Sequence, residues 1–122
     1  REEFDVFEAA QAETELEIPD LRDEYDFEGA VVASYRDDGT VTAEYATDMG
    51  DVYVAVTTSD AFEGDGAEGG ETETVTFGDT TAKVADSPRG SVVYWTEGGE
   101  TTAVVTRGPR STAISVAESV AE

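Results

Sequence analysis

From Tyr25 onward the chain alternates apolar and polar residues in short runs broken by turn-forming dipeptides, and this alternation restricts it to sheet. YDFEGAVVASY, TVTAEYAT and VYVAVTTS are separated by RDDG and DMGD. TETVTF, TTAKVAD, SVVYWTE and ETTAVVTR are separated by Gly78-Asp79, Ser87-Pro88-Arg89-Gly90 and Gly98-Gly99. Period-two patterning bounded by Gly, Asp and Pro is the mark of strands joined by tight turns. In the middle strand of the first set, Val41, Ala43 and Tyr45 share a face opposite Thr42, Glu44 and Ala46. In the next, Val52, Val54 and Val56 oppose Tyr53, Ala55 and Thr57. Strands with one polar side form antiparallel sheets with one wet face. The spacing places a positive-φ turn at Asp37-Asp38-Gly39 and a second at Met49-Gly50-Asp51, and Tyr45 and Tyr53, in adjacent strands, are expected to pack together across the sheet.

The ends follow another period. EEFDVFEAAQA over 2–12 puts Phe4, Phe7 and Ala10, with Gln11 beside them, on one side of a short amphipathic helix. ETELEIPDL alternates until Pro19 ends any regular element. PRSTAISVAESVAE places Ala113, Ala117, Val120 and Ala121 on one helical stripe beside Ile114, with Ser111 or Thr112 as its cap. The reading is an α+β fold: an antiparallel sheet of about seven strands with short N-terminal and C-terminal helices packed on it. At 122 residues it is one domain, 1–122, with a flexible acidic Gly-rich loop at 60–71, DAFEGDGAEGGE.

Charge then sets the solvent. Asp and Glu number 29 against 7 basic residues, for a formal charge of -22. A folded chain of this size exposes roughly 6,000 Å², or about one net negative charge per 300 Å². Such repulsion opposes compaction in dilute buffer, whereas molar salt screens it to within about 3 Å. Lys83 is the sole lysine. Leu16, Leu21, Ile18 and Ile114 are all the Leu and Ile, which leaves the core to Val and Ala. High salt strengthens the burial of such small side chains. This composition resembles that of haloarchaeal proteins.

The opening FEAAQAETELEIP with DLRDEYDFEGAVV, and the ending VVYWTEGGETTAVVTRGPRSTAISVAESVAE, resemble the DUF4367 family, a widespread domain of unknown function. Trp95 matches the family tryptophan, and Ala117, Glu118, Ser119 and Val120 match its closing helix. IPDLRDEY departs from the usual run after the first helix. The resemblance implies a sheet-and-helix design like that of outer-membrane lipoprotein carriers and anti-sigma sensor domains, outside the membrane behind an anchor. It implies no catalytic residue. On that likeness an extracellular or membrane-anchored cell-surface location is favoured over the cytoplasm.

Several chemistries lack their residues. Without Cys or His there are no disulfides, thiol nucleophiles, imidazole bases or zinc sites with S or N ligands. No apolar run approaches the length of a membrane-spanning helix. The chain begins without Met or a signal-like stretch, which fits a mature, processed or excised form. Oxygen donors suit Ca²⁺, and Asp60, Glu63, Asp65 and Glu68 are the candidate ligands, although their loop lacks the register of a calcium-binding loop. A second acidic cluster comprises Asp20, Asp23, Glu24 and Asp26. No other cofactor is expected beyond nonspecific monovalent cations. Lys83 sits in an alternating strand without a serine in nucleophile register.

Arg89, Arg107 and Arg110 are the one local positive cluster, an anion or partner patch if not paired with nearby acids. The five tyrosines and Trp95 suggest a stacking platform, but the charge opposes direct nucleic-acid binding. The leading expectation is a non-catalytic, salt-adapted module, monomeric or weakly dimeric, serving as a structural or binding domain of a larger haloarchaeal protein. The alternatives are a lipoprotein-carrier-like binder of an apolar ligand, an acidic nucleic-acid mimic or inhibitor, and a small hydrolase.

Overall fold

The computed structural model describes residues 2–35, 38–58, 72–87 and 90–121. In chain order the elements are β1 (Glu2–Phe4), α1 (Phe7–Ala12), β2 (Asp26–Tyr35), β3 (Asp38–Thr47), β4 (Gly50–Thr57), β5 (Thr72–Phe77), β6 (Thr80–Ser87), β7 (Gly90–Glu97), β8 (Glu100–Thr106) and α2 (Arg110–Ala121). The eight strands form one antiparallel sheet in the order β1-β2-β3-β4-β8-β7-β6-β5. The fold is therefore α+β, with a short helix near each end.

The eighth strand is a correction at the N-terminus. Residues 2–4 are not helical; they pair antiparallel with β2, Phe4 opposite Ala30 and Glu2 opposite Val32. Edge pairing satisfies backbone groups that a first helical turn leaves open, so the helix shortens to Phe7–Ala12. Its inward side chains, Phe7 and Ala10, are those the spacing indicated.

The two hairpin sets meet through β4 and β8, and their registers coincide. Tyr45 pairs with Val52 and Ala43 with Val54 in the first hairpin; Trp95 pairs with Thr102 and Val93 with Val104 in the second. Val54 and Val104 lie opposite each other at the β4–β8 junction. One constant offset in sequence thus maps β3–β4 onto β7–β8 about a local twofold axis through that junction, and Tyr45 and Trp95 occupy equivalent places.

The pleat sends Val41, Ala43, Tyr45, Val52, Val54, Val56, Val84, Val93, Trp95 and Val104 to one face, where they form a single cluster with Phe7, Ala10, Ala113, Val116 and Ala117. On α2 the buried residues are Ala113, Val116 and Ala117, with Ile114, Val120 and Ala121 partly covered, so the stripe turns toward Val116. The helix begins at Arg110, directly after Pro109, which places Ser111 and Thr112 inside its first turn. Three of the four large aliphatics, Leu16, Ile18 and Leu21, are buried in the strap between α1 and β2. Gln11 pins this strap: its Nε2 donates to the Leu16 carbonyl at 2.7 Å, and the Ile18 N–H donates to its Oε1 at 2.9 Å. The Tyr45 hydroxyl, fully buried, donates to the Pro19 carbonyl at 2.7 Å and accepts the Leu21 N–H at 3.2 Å.

Register also corrects two local expectations. Tyr45 lies opposite Val52, and Tyr53 opposite Glu44, so the two tyrosines point to opposite faces. Tyr45 instead meets Phe27 edge-on at 5.6 Å. Tyr35 pairs with Asp38, and Gly39 lies inside β3 opposite Ser34; the linking residues 36–37 fall outside the described residues. Gly90 has no substitute: its φ is +140°, and a Cβ there would lie 1.9 Å from the Thr106 carbonyl oxygen.

Candidate functional site

Both helices and the strap cover one face of the sheet. On the other face, three carboxylates converge. Glu44 of β3 faces Tyr53 across the hairpin, which sets Asp51 diagonally beside it. A bulge between Phe27 and Gly29 interrupts β2 at Glu28, because Phe27 pairs with Tyr45 and Gly29 with Glu44. The extra residue turns Glu28 toward this pair, and one carboxylate oxygen from each of Glu28, Glu44 and Asp51 lies within 4.8 Å of the others. A hydrogen bond to Asp51 and its charge push the Glu28 carboxyl above the usual glutamate range; partial burial, then Asp51, do the same for Glu44. A groove of about 460 Å³ runs beside them over Thr42 and Tyr53 toward β1. The set offers hard oxygen donors, and its mutual repulsion is relieved by a proton, a bound cation or screening salt.

The sequence reading missed this triad. Half of its signal was available, since the β3–β4 register places Glu44 and Asp51 on one diagonal. An isolated Gly29 inside a strand pattern also marks a bulge, but which residue the bulge ejects depends on the pairing.

Asp60, Glu63, Asp65, Glu68 and Arg89 lie outside the described residues. Arg107 is exposed. Arg110, the first residue of α2, turns to the sheet: its Nη1 donates to Glu73 of edge strand β5 at 2.7 Å, and its Nη2 donates to Asp86 of β6. Asp86 also accepts the Ser91 hydroxyl at 2.7 Å. These bonds, Ser91 first and then Arg110, hold its carboxyl below the usual aspartate range. Asp20, Asp23, Glu24 and Asp26 serve separate ends. Asp20 grips Arg22 through Nε and Nη2, and Glu24 accepts the Ser119 hydroxyl at 2.9 Å, tying the strap's end to α2. Arg22 also reaches Glu8 at 3.0 Å and lies 4.2 Å from the centre of the Phe7 ring.

A second groove, of about 390 Å³, opens on the helical face between the strap and the last turn of α2. Its lining includes the buried Val56 and Trp95 together with Glu17, Glu97 and Glu100. Trp95, 7% exposed, meets Phe77 edge-on at 6.3 Å. Among the described residues, no helix is long and apolar enough to cross a membrane.

Comparison with known proteins gives no kinship. No protein-family profile, curated protein or solved structure matches the chain.

Proposed function

We propose that this chain is a non-catalytic, salt-adapted module that supplies structure and a binding surface to a larger haloarchaeal protein. The observation that carries the reading is where the acids lie. Among the described residues every Asp and Glu whose side chain is placed is exposed, except Glu44 and Glu100, which are half-exposed. They stud α1 (Glu8), the strap (Glu15, Glu17), the turns (Asp48, Asp79), the open face (Glu28, Glu44, Asp51) and α2 (Glu118). With 7384 Å² of accessible surface, the charge of -22 amounts to roughly one net negative charge per 340 Å². A mimic of nucleic acid needs its carboxylates in phosphate-like rows on one face; a spread over helices, turns and both faces suits a hydrated coat instead.

The core fits the same solvent. Its sheet face is built of Val, Ala and two large aromatics, Tyr45 and Trp95. Small side chains each bury little area, and concentrated salt raises the gain from that burial while it screens the coat. The test is far-ultraviolet circular dichroism against KCl. The reading expects a cooperative gain of sheet signal complete above roughly 1 M salt and lost on dilution. A spectrum unchanged from molar salt to a few millimolar would overturn it.

A further inference from the structure

An open antiparallel sheet has two edges, and this one guards them unequally. β1 is three residues long and carries exposed carboxylates at Glu2 and Glu3, with Asp5 just beyond. Short, charged edges discourage pairing with another chain. β5, at the other edge, has neither guard. It runs six residues without Pro, Gly or bulge, in unbroken register with β6 from Thr72 opposite Ala85 to Phe77 opposite Thr80. Its one acid, Glu73, is held by Arg110 at 2.7 Å.

Charge singles out the same edge. Acids outnumber bases 29 to 7 over the chain, yet the β5–β6 hairpin carries only Glu73, Asp79 and Asp86 against Lys83, and Arg110 docks onto two of those acids. Lys83, the sole lysine, is exposed in β6 opposite Thr74. Two molecules of charge -22 repel over most of their surfaces, and here that repulsion is locally offset. A basic peptide gains more at the carboxylates elsewhere on the coat. A second copy gains nothing there, and this edge is where it can approach most closely.

Main-chain geometry supplies the contact. Phe77 and Thr80 close the Gly78-Asp79 turn as a hydrogen-bonded pair, and the pairing alternates from there. The main-chain groups of Val75 and Glu73 thus face β6. Those of Thr74 and Thr76 face outward, where among the described residues no further strand lies. A twofold axis through Val75 satisfies them: Thr74 pairs with Thr76 of the second copy, and Thr76 with its Thr74, for about four new main-chain hydrogen bonds. The exposed threonines then stand opposite one another on the open face, a favourable cross-strand pair. On the helical face the partly buried Val75 meets its own counterpart, and Glu73 falls opposite Phe77 rather than another acid.

We infer that β5 is a self-association edge, at which two copies of this chain join antiparallel about Val75 and fuse their sheets into one. The inference rests on the binding-module reading and names the partner. The two fail separately, because the salt-dependent folding above is read on dilute protein.

Sedimentation equilibrium from about 10 μM to about 1 mM protein in about 2 M KCl tests it, since a single strand pair makes a small, weak interface. The expected result is a monomer–dimer equilibrium that strengthens as KCl rises from about 0.5 M to about 3 M. Amide exchange at Thr74 and Thr76 should slow at the higher protein concentration. Thr74→Glu/Thr76→Glu alters two exposed side chains and opposes carboxylates only between copies, so it should keep the sheet spectrum and weaken the dimer at least about tenfold. Ser111→Glu/Ser115→Glu adds the same charge on the exposed side of α2 and should leave the dimer intact. A monomer at every concentration, equal weakening by the two variants, a dimer indifferent to both, or open-ended growth, which requires β1 to pair with β5, would each overturn the inference.

Discussion

Removing one oxygen, in Tyr45→Phe, tests how the strap is held to the sheet. The hydroxyl is fully buried and makes two hydrogen bonds, to the Pro19 carbonyl at 2.7 Å and from the Leu21 N–H at 3.2 Å. Phenylalanine keeps the ring and its edge contact with Phe27 while leaving a main-chain donor and acceptor without partners. Each unsatisfied buried group costs about 1–3 kcal/mol. Leu21 is 5% exposed, but Pro19 is only half-buried and recovers a water. The net cost is therefore that of one full group and part of another, about 2 kcal/mol. For a domain of this length that corresponds to a fall in Tm of roughly 6–12 °C. Thermal unfolding followed by circular dichroism in about 2 M KCl measures it, with Tyr53→Phe on the open face as the control, expected within about 0.5 kcal/mol of the parent. Equal stabilities for the two variants would refute the claim that Tyr45 locks the strap. Amide exchange at Leu21 adds a local readout, and should accelerate in Tyr45→Phe before the central strands respond.

Further outcomes follow from the same structure. Glu44→Gln should raise stability at neutral pH and low salt, because partial burial, then Asp51, hold the Glu44 carboxyl above its ordinary range: the burial cost and the repulsion are present when it is ionised and relieved as pH falls through its raised folded value. The advantage over the parent should shrink on acidification and in molar salt, which paired pH and KCl series of urea unfolding would reveal. Asp86 has the opposite sign: its lowered pKa contributes stability above the ordinary aspartate range that is lost as pH falls toward the folded value. Arg110→Gln should thus lower stability only slightly at neutral pH, reduce the acid sensitivity of the parent, and speed amide exchange along β5. Gly90→Ala should cost at least about 3 kcal/mol or prevent folding, since the new Cβ meets main-chain atoms that cannot move aside. Gly98→Ala, with no atom within 4 Å of its Cβ and only a positive φ to strain, should cost about 1 kcal/mol. Comparable losses at the two glycines would show that backbone conformation, rather than the Thr106 contact, sets the cost.

Period-two patterning made seven strands, their faces and most turns legible, because a half-buried antiparallel strand writes its pleat into the sequence. Val41, Ala43 and Tyr45 point inward, as do Val52, Val54 and Val56. The eighth strand was not legible: Glu2–Phe4 is three residues long, carries no alternation, and exists only because β2 offers an open edge. Helical spacing located Phe7 and Ala10 correctly, since both a helix and a strand-then-helix place them toward the sheet. The strand order was hidden as well, because β5 joins the far edge rather than β4, and nothing local to Thr72–Phe77 records that choice. Of the candidate sites, the acidic triad depends on a bulge, and the Trp95 groove on how closely the strap approaches α2; neither distance is a property of any short segment. Arg110 looked available to a partner until the fold set Glu73 and Asp86 beside it, a pairing that spans 37 residues in one case and 24 in the other.

The claim on which the rest depends is that screened self-repulsion lets this chain stay folded, and thinning the coat tests it most directly. Glu13→Gln, Glu15→Gln, Asp23→Asn, Asp48→Asn, Asp79→Asn and Glu118→Gln together alter exposed side chains on α1's end, the strap, two turns and α2. The measurement is the free energy of unfolding by urea, an uncharged denaturant, at about 0.3 M and about 3 M KCl for the parent and this variant. The account predicts that the variant is the more stable at low salt, and that its gain on going to high salt is distinctly smaller than the parent's. An undiminished gain would contradict it, because salt would then be acting on the core alone.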